Sequence, residues 1–255
     1  MIYKLAYFRL NEVFKMNVIV VKDYDAMSKE AFKIMKAVVT GKNDAVLGLA
    51  TGSTPIGLYK EMIADFNAGG TSYKDVKAFN LDEYVGLDYS SDQSYVYFMR
   101  ANLFDHIDIK LENTNIENGK AADADAECAR YNALLAENTV DLQILGIGSN
   151  GHIAFNEPGT PFDSVTHVVD LTENTIKDNS RLFASIDEVP RKAFTMGLSN
   201  IMAAKKIVIM ANGAGKAKAV FGLVKGEVTE EVPASILQNH ADCTLICDEA
   251  AASLL

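Results

Sequence analysis

Two short segments of this sequence carry side chains that can move protons. Asp82 and Glu83 are adjacent carboxylates, and a carboxylate can serve as a general base. Adjacent side chains of an extended segment point to opposite sides, so only one of the two can face a given crevice. His152 and Glu157 lie five residues apart in a glycine-rich segment, and an imidazole is well suited to proton transfer near neutral pH. The alternatives are a solvated turn for the acidic pair and a structural histidine.

Two further segments have the residue types of a phosphate site. Thr51-Gly52-Ser53-Thr54 precedes Pro55 at the start of a predicted helix, with Thr54 as the expected N-cap. Free N–H groups and the positive end of the helix dipole bind phosphate there. Lys216 opens another predicted helix, where a cation opposes the dipole unless an anion is bound. Arg181 is a second cation in a polar region. The alternatives are an ordinary helix start, a solvated lysine and a surface arginine.

The glycines do not form either common nucleotide-binding motif. Gly146, Gly148 and Gly151 fit G-x-G-x-x-G, but Phe155-Asn156-Glu157-Pro158 argues against the helix that the dinucleotide motif must open. The segment before Lys216 is not a P-loop, since Ala217 stands where Ser or Thr is required. The four histidines lack metal-ligand spacing, and we therefore predict no metal site.

Composition limits the classes of protein to which the chain can belong. Its 255 residues are 49% hydrophobic and 23% charged, which allows a sizeable core and excludes a disordered chain. The net charge of −10 argues against a nucleic-acid partner or an anionic membrane surface, so positive charge for an anionic ligand must be local. No stretch reaches the ~18 apolar residues of a membrane helix.

Cys128, Cys243 and Cys247 are expected to be buried free thiols. Residues 1–15 do not resemble a signal peptide, and we expect a reducing, cytoplasmic compartment.

Strands and helices alternate along the chain. Apolar stretches predict strands and helical spacing predicts helices, whereas residues 148–190 are predicted to be polar and irregular. The strands are expected at 17–21, 45–50, 76–81, 140–147, 206–210 and 244–247, and the helices at 24–40, 56–66, 94–106, 121–137 and 216–224. This pattern predicts an α/β fold with one doubly wound, mostly parallel sheet and helices on both faces. We expect a single domain over 16–255, preceded at 1–15 by an extension from an upstream start or an expression vector.

The predicted sheet brings the polar segments together. In doubly wound sheets, ligands bind outside the carboxyl ends of the strands. Each of the four segments follows a predicted strand, so all four are expected to converge on one crevice. A phosphate-binding loop, a carboxylate and a histidine in one crevice predict proton-transfer chemistry on a phosphorylated small molecule.

In these same segments the sequence resembles the glucosamine-6-phosphate deaminase (isomerising) family. The segments are LGLATGSTPIGLYKEM (47–62), FNLDEYVGL (79–87), SYVYFMRANLFDHIDI (94–109), LGIGSNGHIAFNEPGTPFDS (145–164), NSRLF (179–183) and GAGKAKAV (213–220). The resemblance implies a Rossmann-like fold and conversion of glucosamine 6-phosphate to fructose 6-phosphate and ammonia in amino-sugar catabolism. It implies no cofactor and no metal.

The resemblance also implies a role for each site residue. Asp82 would move the proton between C2 and C1, and His152 would open the pyranose ring with help from Glu157. Asn150 stands where some members have Asp, and since it carries no charge it can only hydrogen-bond. The phosphate would be held by Thr51, Gly52, Ser53, Thr54, Arg181 and Lys216.

The sequence departs from some members of the family in a segment that bears on assembly and regulation. Some members are hexamers that N-acetylglucosamine 6-phosphate activates through basic residues downstream of the Glu-Pro segment. Residues 159–170 contain no Lys or Arg, so we expect no such activation and a monomer or small homo-oligomer. Residues 160–190 are expected to form a lid.

Two other functions are compatible with parts of this pattern. A 6-phosphogluconolactonase is similar in fold and in its Gly-His loop, but it needs no base for C–H abstraction. The N-E-P that follows GHIAF and the D-E-Y run favour the deaminase. A non-catalytic sugar-phosphate sensor would need a helix-turn-helix segment, for which residues 1–15 are too short.

Overall fold

A computed structural model of the chain describes residues 16–180, 183 and 185–255. Within these ranges the central sheet has seven strands, and all its neighbouring pairs are parallel. They are β1 (Asn17–Val21), β2 (Val46–Leu49), β3 (Lys77–Asn80), β5 (Thr114–Asn115), β6 (Leu142–Leu145), β9 (Ile207–Ala211) and β10 (Cys243–Asp248). Their order is β1-β10-β9-β6-β2-β3-β5. The mostly parallel sheet predicted from the apolar stretches is confirmed.

A second, antiparallel sheet was not predicted. It consists of β4 (Asp82–Tyr84), β7 (His167–Asp170) and β8 (Lys192–Thr195), in the order β4-β8-β7. The prediction of an irregular segment over 148–190 is therefore wrong at β7. These strands are only three or four residues long, too short for an alternating pattern to stand out, and their pairing is long-range.

Helices cover both faces of the central sheet. α1 (Tyr24–Gly41), α2 (Ile56–Asn67) and α3 (Tyr95–Asn102) pack on one face, and α4 (Ala124–Glu137), α6 (Leu198–Met202) and α7 (Ala217–Lys225) pack on the other. α5 (Glu173–Asn179) lies in the segment predicted to be irregular and packs against the small sheet. Its N-cap, Thr172, accepts a hydrogen bond from the Thr175 N–H group, a favourable way to begin a helix.

The core has two layers because each buried strand contributes side chains to both faces. On β9, Ile207 and Ile209 join one cluster, whereas Val208 and Met210 join the other. This alternation is the period-2 geometry of a strand. It explains the continuous apolar stretches, since both sides of the strand are covered. The doubly wound arrangement is thereby confirmed.

The strand order reverses between β2 and β6. From β2 the chain continues through β3 to β5 at one edge, and from β6 it continues through β9 and β10 in the opposite direction. A crevice forms outside the carboxyl ends at such a switch point. The segments after β2 and β6 flank it, and these contain Thr51–Thr54 and His152.

Further predictions concern the cysteines, membrane-spanning helices, the N-terminal extension and Arg181. Cys128, Cys243 and Cys247 are buried and free, as predicted. Among the described residues, no helix combines the length and apolar character that crossing a membrane requires. The predicted extension at 1–15 and the predicted phosphate ligand Arg181 lie outside the described residues.

Candidate active site

Asp82 lies where the two sheets meet. It begins β4 one residue after β3 ends, and Leu81 between them donates its N–H to Leu49 of β2. Asp82 is only 6% exposed, and its Oδ1 atom has no hydrogen-bond partner among the described residues. Burial, together with the negative charge of Glu83, raises the pKa of Asp82 to about 8. A poorly solvated carboxylate of this kind is a strong base when it is ionised.

The neighbouring Glu83 has a different environment. Its carboxylate accepts hydrogen bonds from the backbone N–H groups of Tyr84 (2.8 Å), Tyr95 (3.0 Å) and Val96 (3.2 Å). It therefore holds the N-terminus of α3. Burial raises its pKa to about 7, although these hydrogen bonds oppose the shift. The two carboxylates point to opposite sides, as expected for an extended segment. The hydrogen bonds of Glu83 give it a structural role.

A tight turn after β6 carries His152. Gly148 N–H donates to the His152 carbonyl (2.9 Å), and Gly151, with φ +89°, donates to Gly148 (3.1 Å). A Cβ atom on Gly148 would lie 2.4 Å from His152 Nε2. The imidazole thus lies against a glycine because no other residue leaves room for it. The turn opens no helix, which agrees with rejecting the dinucleotide motif.

Glu157 is surrounded by hydrogen-bond donors. Its Oε2 atom accepts from Asn150 Nδ2 (2.7 Å), and its Oε1 atom accepts from Thr175 Oγ1 (2.5 Å). His152 Nδ1 lies 3.3 Å from Oε1, within the distance of an ion pair with a protonated imidazole. Burial alone would raise the pKa of Glu157, but His152 and the two neutral donors outweigh it and lower the pKa to about 2. The carboxylate is therefore ionised at any working pH.

Asn150 holds the Glu157 carboxylate and also the His152 backbone. Its side chain donates to Glu157 and accepts the N–H group of His152 at 3.2 Å. Because both contacts are hydrogen bonds, an uncharged amide satisfies this position.

Strand β8 ties the histidine loop to the strand that bears Asp82. Asp82 lies opposite Thr195 in the β4–β8 register, and Thr195 Oγ1 accepts the N–H group of Phe155 at 3.1 Å. The fully buried Asn156 donates to the Met196 carbonyl at 2.8 Å. The small sheet thus brings the His152–Glu157 segment next to Asp82, although the two are about 70 residues apart in sequence.

The predicted phosphate loop follows β2. Gly52 has φ +83° and lies in open space, a conformation that favours glycine. The prediction that Thr54 caps α2 is wrong. Pro55 is the N-cap, with helical φ and ψ, and no side chain in the described part of the chain caps this helix, so the loop closes one residue later than expected.

Tyr24 on α1 supports this loop, a contact that sequence reasoning missed. Its hydroxyl donates to the Ser53 carbonyl (2.9 Å) and accepts the N–H group of Gly57 (2.7 Å). The shape of the loop is therefore set partly by a helix that precedes it by about 30 residues.

Lys216 follows β9 as expected. It ends a 3-10 turn, Ala214–Lys216, and is the N-cap residue of α7. Gly213 before the turn has φ +86°, and its N–H group donates to both Asp248 carboxylate oxygens at 2.9 and 3.0 Å. The carboxyl ends of four strands thus carry the predicted site residues, Arg181 apart.

Thr175 is a further contact that the sequence analysis missed. Thr172 followed by Glu173, a candidate N-cap with an acid in the first turn, is typical of a helix N-terminus and could have predicted α5. It carried no indication that Thr175 reaches Glu157, because that contact depends on how α5 packs.

A separate groove lies at the β5 edge. It has a volume of about 920 Å³, and none of the described residues predicted for the site lines it. Tyr89, Tyr97 and Leu111 on its wall are about half exposed, and Arg100 pairs there with Asp105 at 3.0 Å.

The sequence model for glucosamine-6-phosphate isomerases/6-phosphogluconolactonase matches residues 23–246, which is most of the chain. The chain belongs to this family. The resemblance predicted from the strand-end segments is confirmed.

Within the family, the chain is similar to proteins that are named as deaminases. A protein of Lactobacillus delbrueckii subsp. bulgaricus named glucosamine-6-phosphate deaminase is 55% identical over 241 residues, covering 94% of this chain and 100% of that protein. One of Clostridioides difficile with the same name is 52% identical and covers 94% and 97%. A solved structure described as a monomeric glucosamine-6-phosphate deaminase superposes with a TM-score of 0.92 at 45% identity, covering 94% and 100%.

The lactonase branch shares the fold. The 6-phosphogluconolactonase of Trypanosoma brucei superposes with a TM-score of 0.79 at 20% identity, covering 95% of this chain and 99% of that one. This similarity confirms the Rossmann-like α/β architecture and carries no statement about activity.

Proposed function

We propose that this protein converts glucosamine 6-phosphate and water to fructose 6-phosphate and ammonia. The observation that carries the proposal is the position of the buried base Asp82 beside a loop in which His152 faces an ionised Glu157. Relatives named glucosamine-6-phosphate deaminase at 52–55% identity support it.

Binding starts at the phosphate in this proposal. The Thr51–Thr54 loop offers backbone N–H groups and hydroxyls at the start of α2, and Lys216 and Arg181 supply positive charge. Because the phosphate is remote from the reacting carbons, its binding energy holds C1 and C2 in place. A local cluster of this kind also lets an acidic protein bind an anionic substrate.

Ring opening comes next and is assigned to His152. The imidazole takes the proton of the C1 hydroxyl and delivers a proton to the ring oxygen, so that the C1–O5 bond breaks and an aldehyde forms. Glu157 stabilises the imidazolium during this transfer. Asn150 holds Glu157 in position through the 2.7 Å hydrogen bond.

Isomerisation is assigned to Asp82. The carboxylate removes the proton from C2, and the electron pair forms the C1–C2 double bond. The ammonium group of the substrate gives up one proton and the aldehyde oxygen takes one up, which leaves an enamine with a C1 hydroxyl. Asp82 then returns its proton to C1, which leaves an iminium at C2. Water adds to C2 and ammonia departs. The cationic amino group of the bound substrate would favour the ionised form of Asp82, whose pKa burial raises to about 8.

Further parts of the proposal concern the setting of the enzyme. We infer a cytoplasmic enzyme of amino-sugar catabolism, with one domain over 16–255 and no activation by N-acetylglucosamine 6-phosphate. A monomer or small oligomer is supported by a 45% identical relative described as monomeric.

The test is product analysis with purified protein. We expect ammonia and fructose 6-phosphate in equal amounts from glucosamine 6-phosphate, abolished in Asp82→Asn, and no opening of 6-phosphogluconolactone. Rapid lactone opening without ammonia would assign the chain to the lactonase branch. Silence on both substrates with retained sugar-phosphate binding would favour a sensor.

A further inference from the structure

Helix α5 reaches the proposed catalytic pair through the side chain of Thr175. Thr175 in its first turn is 6% exposed, and its hydroxyl donates to Glu157 Oε1 at 2.5 Å. This is the same oxygen atom that lies 3.3 Å from His152 Nδ1. Thr175 thus acts on the carboxylate oxygen that faces the imidazole.

The direction of the hydrogen bond is fixed by its neighbours. Thr172 Oγ1 accepts the Thr175 N–H group (3.2 Å) and donates to Thr175 Oγ1 (3.0 Å). The Thr175 hydroxyl proton is therefore left for the carboxylate, which can only accept. A helix N-cap, a hydroxyl and a carboxylate form one continuous chain of hydrogen bonds.

The two neutral donors that the described residues supply to Glu157 come from different elements. Asn150 holds Oε2 from within the histidine loop itself, whereas Thr175 holds Oε1 from a helix about 20 residues further along the chain. With the Asn150 hydrogen bond alone, the carboxylate is free to pivot about Oε2, the oxygen atom that accepts it. The Thr175 contact removes that freedom and keeps Oε1 turned towards the imidazole.

We propose that Thr175 is a positioning residue for the ring-opening pair, which holds the Glu157 carboxylate against His152 from helix α5. The inference rests on the proposed function, because it concerns the ring-opening step of that reaction. Thr175 touches no reacting atom in this scheme and acts through Glu157. Its removal should therefore slow turnover without weakening the binding of the phosphate.

The test compares two buried threonines by steady-state kinetics of ammonia release. In Thr175→Val the shape is kept and the donor is lost, and we expect kcat to fall about tenfold, the order expected for a hydrogen bond to a charged group. KM should stay within about twofold. Thr175→Ser should restore most of the turnover. Thr166→Val is the matched control, since Thr166 is equally buried and contacts Asn200 rather than Glu157.

A double-mutant cycle separates positioning from general damage. If Thr175 acts through Glu157, adding Thr175→Val to Glu157→Gln should change kcat by less than about twofold. Thr175→Ala enters the same cycle if the valine variant does not fold. Additive losses, or equal losses in Thr166→Val and Thr175→Val, would overturn the inference. A wild-type protein that releases no ammonia would overturn the proposed function and this inference with it, whereas an active wild type with a fully active Thr175→Val would overturn the inference alone.

Discussion

Replacing Asp82 by Asn should abolish turnover and at the same time make the folded protein more stable. The wild-type carboxyl group is 6% exposed, with one oxygen atom lacking a hydrogen-bond partner among the described residues. Ionising this carboxyl group in the folded protein costs free energy because the group is buried. In the unfolded chain the same group is hydrated and ionises without that cost. Asn has nearly the same shape and no charge, so the variant avoids this cost.

The size of the effect follows from the pKa of Asp82, which burial raises from its ordinary value of 3.8 to about 8. A folded pKa above the unfolded one means that stability is fully present below pH 3.8 and is lost as the pH rises through 8. Linkage gives a cost to the wild type of about 2 kcal/mol at pH 5 and about 4 kcal/mol at pH 7. The stability of Asp82→Asn relative to wild type should therefore increase from pH 5 to pH 7 by the difference between these two costs.

The assay is urea unfolding of wild type and variant at both pH values, read by circular dichroism. Asp92→Asn is the control, because Asp92 is exposed and such surface changes stay within about 0.5 kcal/mol. Ammonia release by Asp82→Asn should fall by at least about 100-fold, while binding of a phosphate ester is retained. A stability difference that is the same at pH 5 and pH 7 would refute the buried-charge argument. Undiminished ammonia release would refute the role of Asp82 as base.

Three other substitutions test neighbouring parts of the site. Because the pKa of Glu157 is lowered from 4.5 to about 2, its contribution to stability is present above pH 4.5 and lost as the pH falls through 2. Glu157→Gln should therefore cost roughly 3 kcal/mol at pH 5 and almost nothing near pH 2, measured by denaturant unfolding. Gly148→Ala should displace His152 and lower kcat about 100-fold, whereas Gly146→Ala, with open space around it, should be nearly as active as wild type; equal kcat values would contradict the contact. Gly52→Ala should raise KM about tenfold at similar kcat, since alanine at φ +83° strains the loop, and an unchanged KM would argue against phosphate binding there.

The main sheet could be predicted because its strands are marked locally. Stretches such as 207–210 and 245–247 are apolar without alternation, and this occurs where both faces of a strand are covered. The strand-end rule then grouped Thr51–Thr54, Asp82, His152 and Lys216 before any contact was known. Local sequence sufficed here because burial and turn chemistry act over a few residues.

The small sheet could not be predicted in this way. Strands β4, β7 and β8 have no more than four residues each, and nothing near them in sequence announces their partners. Their pairing joins segments up to about 110 residues apart. The N-cap of α2 was misplaced for a related reason, since Tyr24 on another helix supports that loop.

The sequence by itself determined which side chains can do chemistry, the alternation of strands and helices, and the edge of the sheet at which the polar segments gather. These follow from residue type and from spacing along the chain. Only the tertiary structure decided that Asp82 is buried with a raised pKa while Glu83 holds a helix, and that Glu157 is ionised between Asn150, His152 and Thr175. A pKa depends on solvation and on charges within a few ångströms, and those neighbours come from distant parts of the chain.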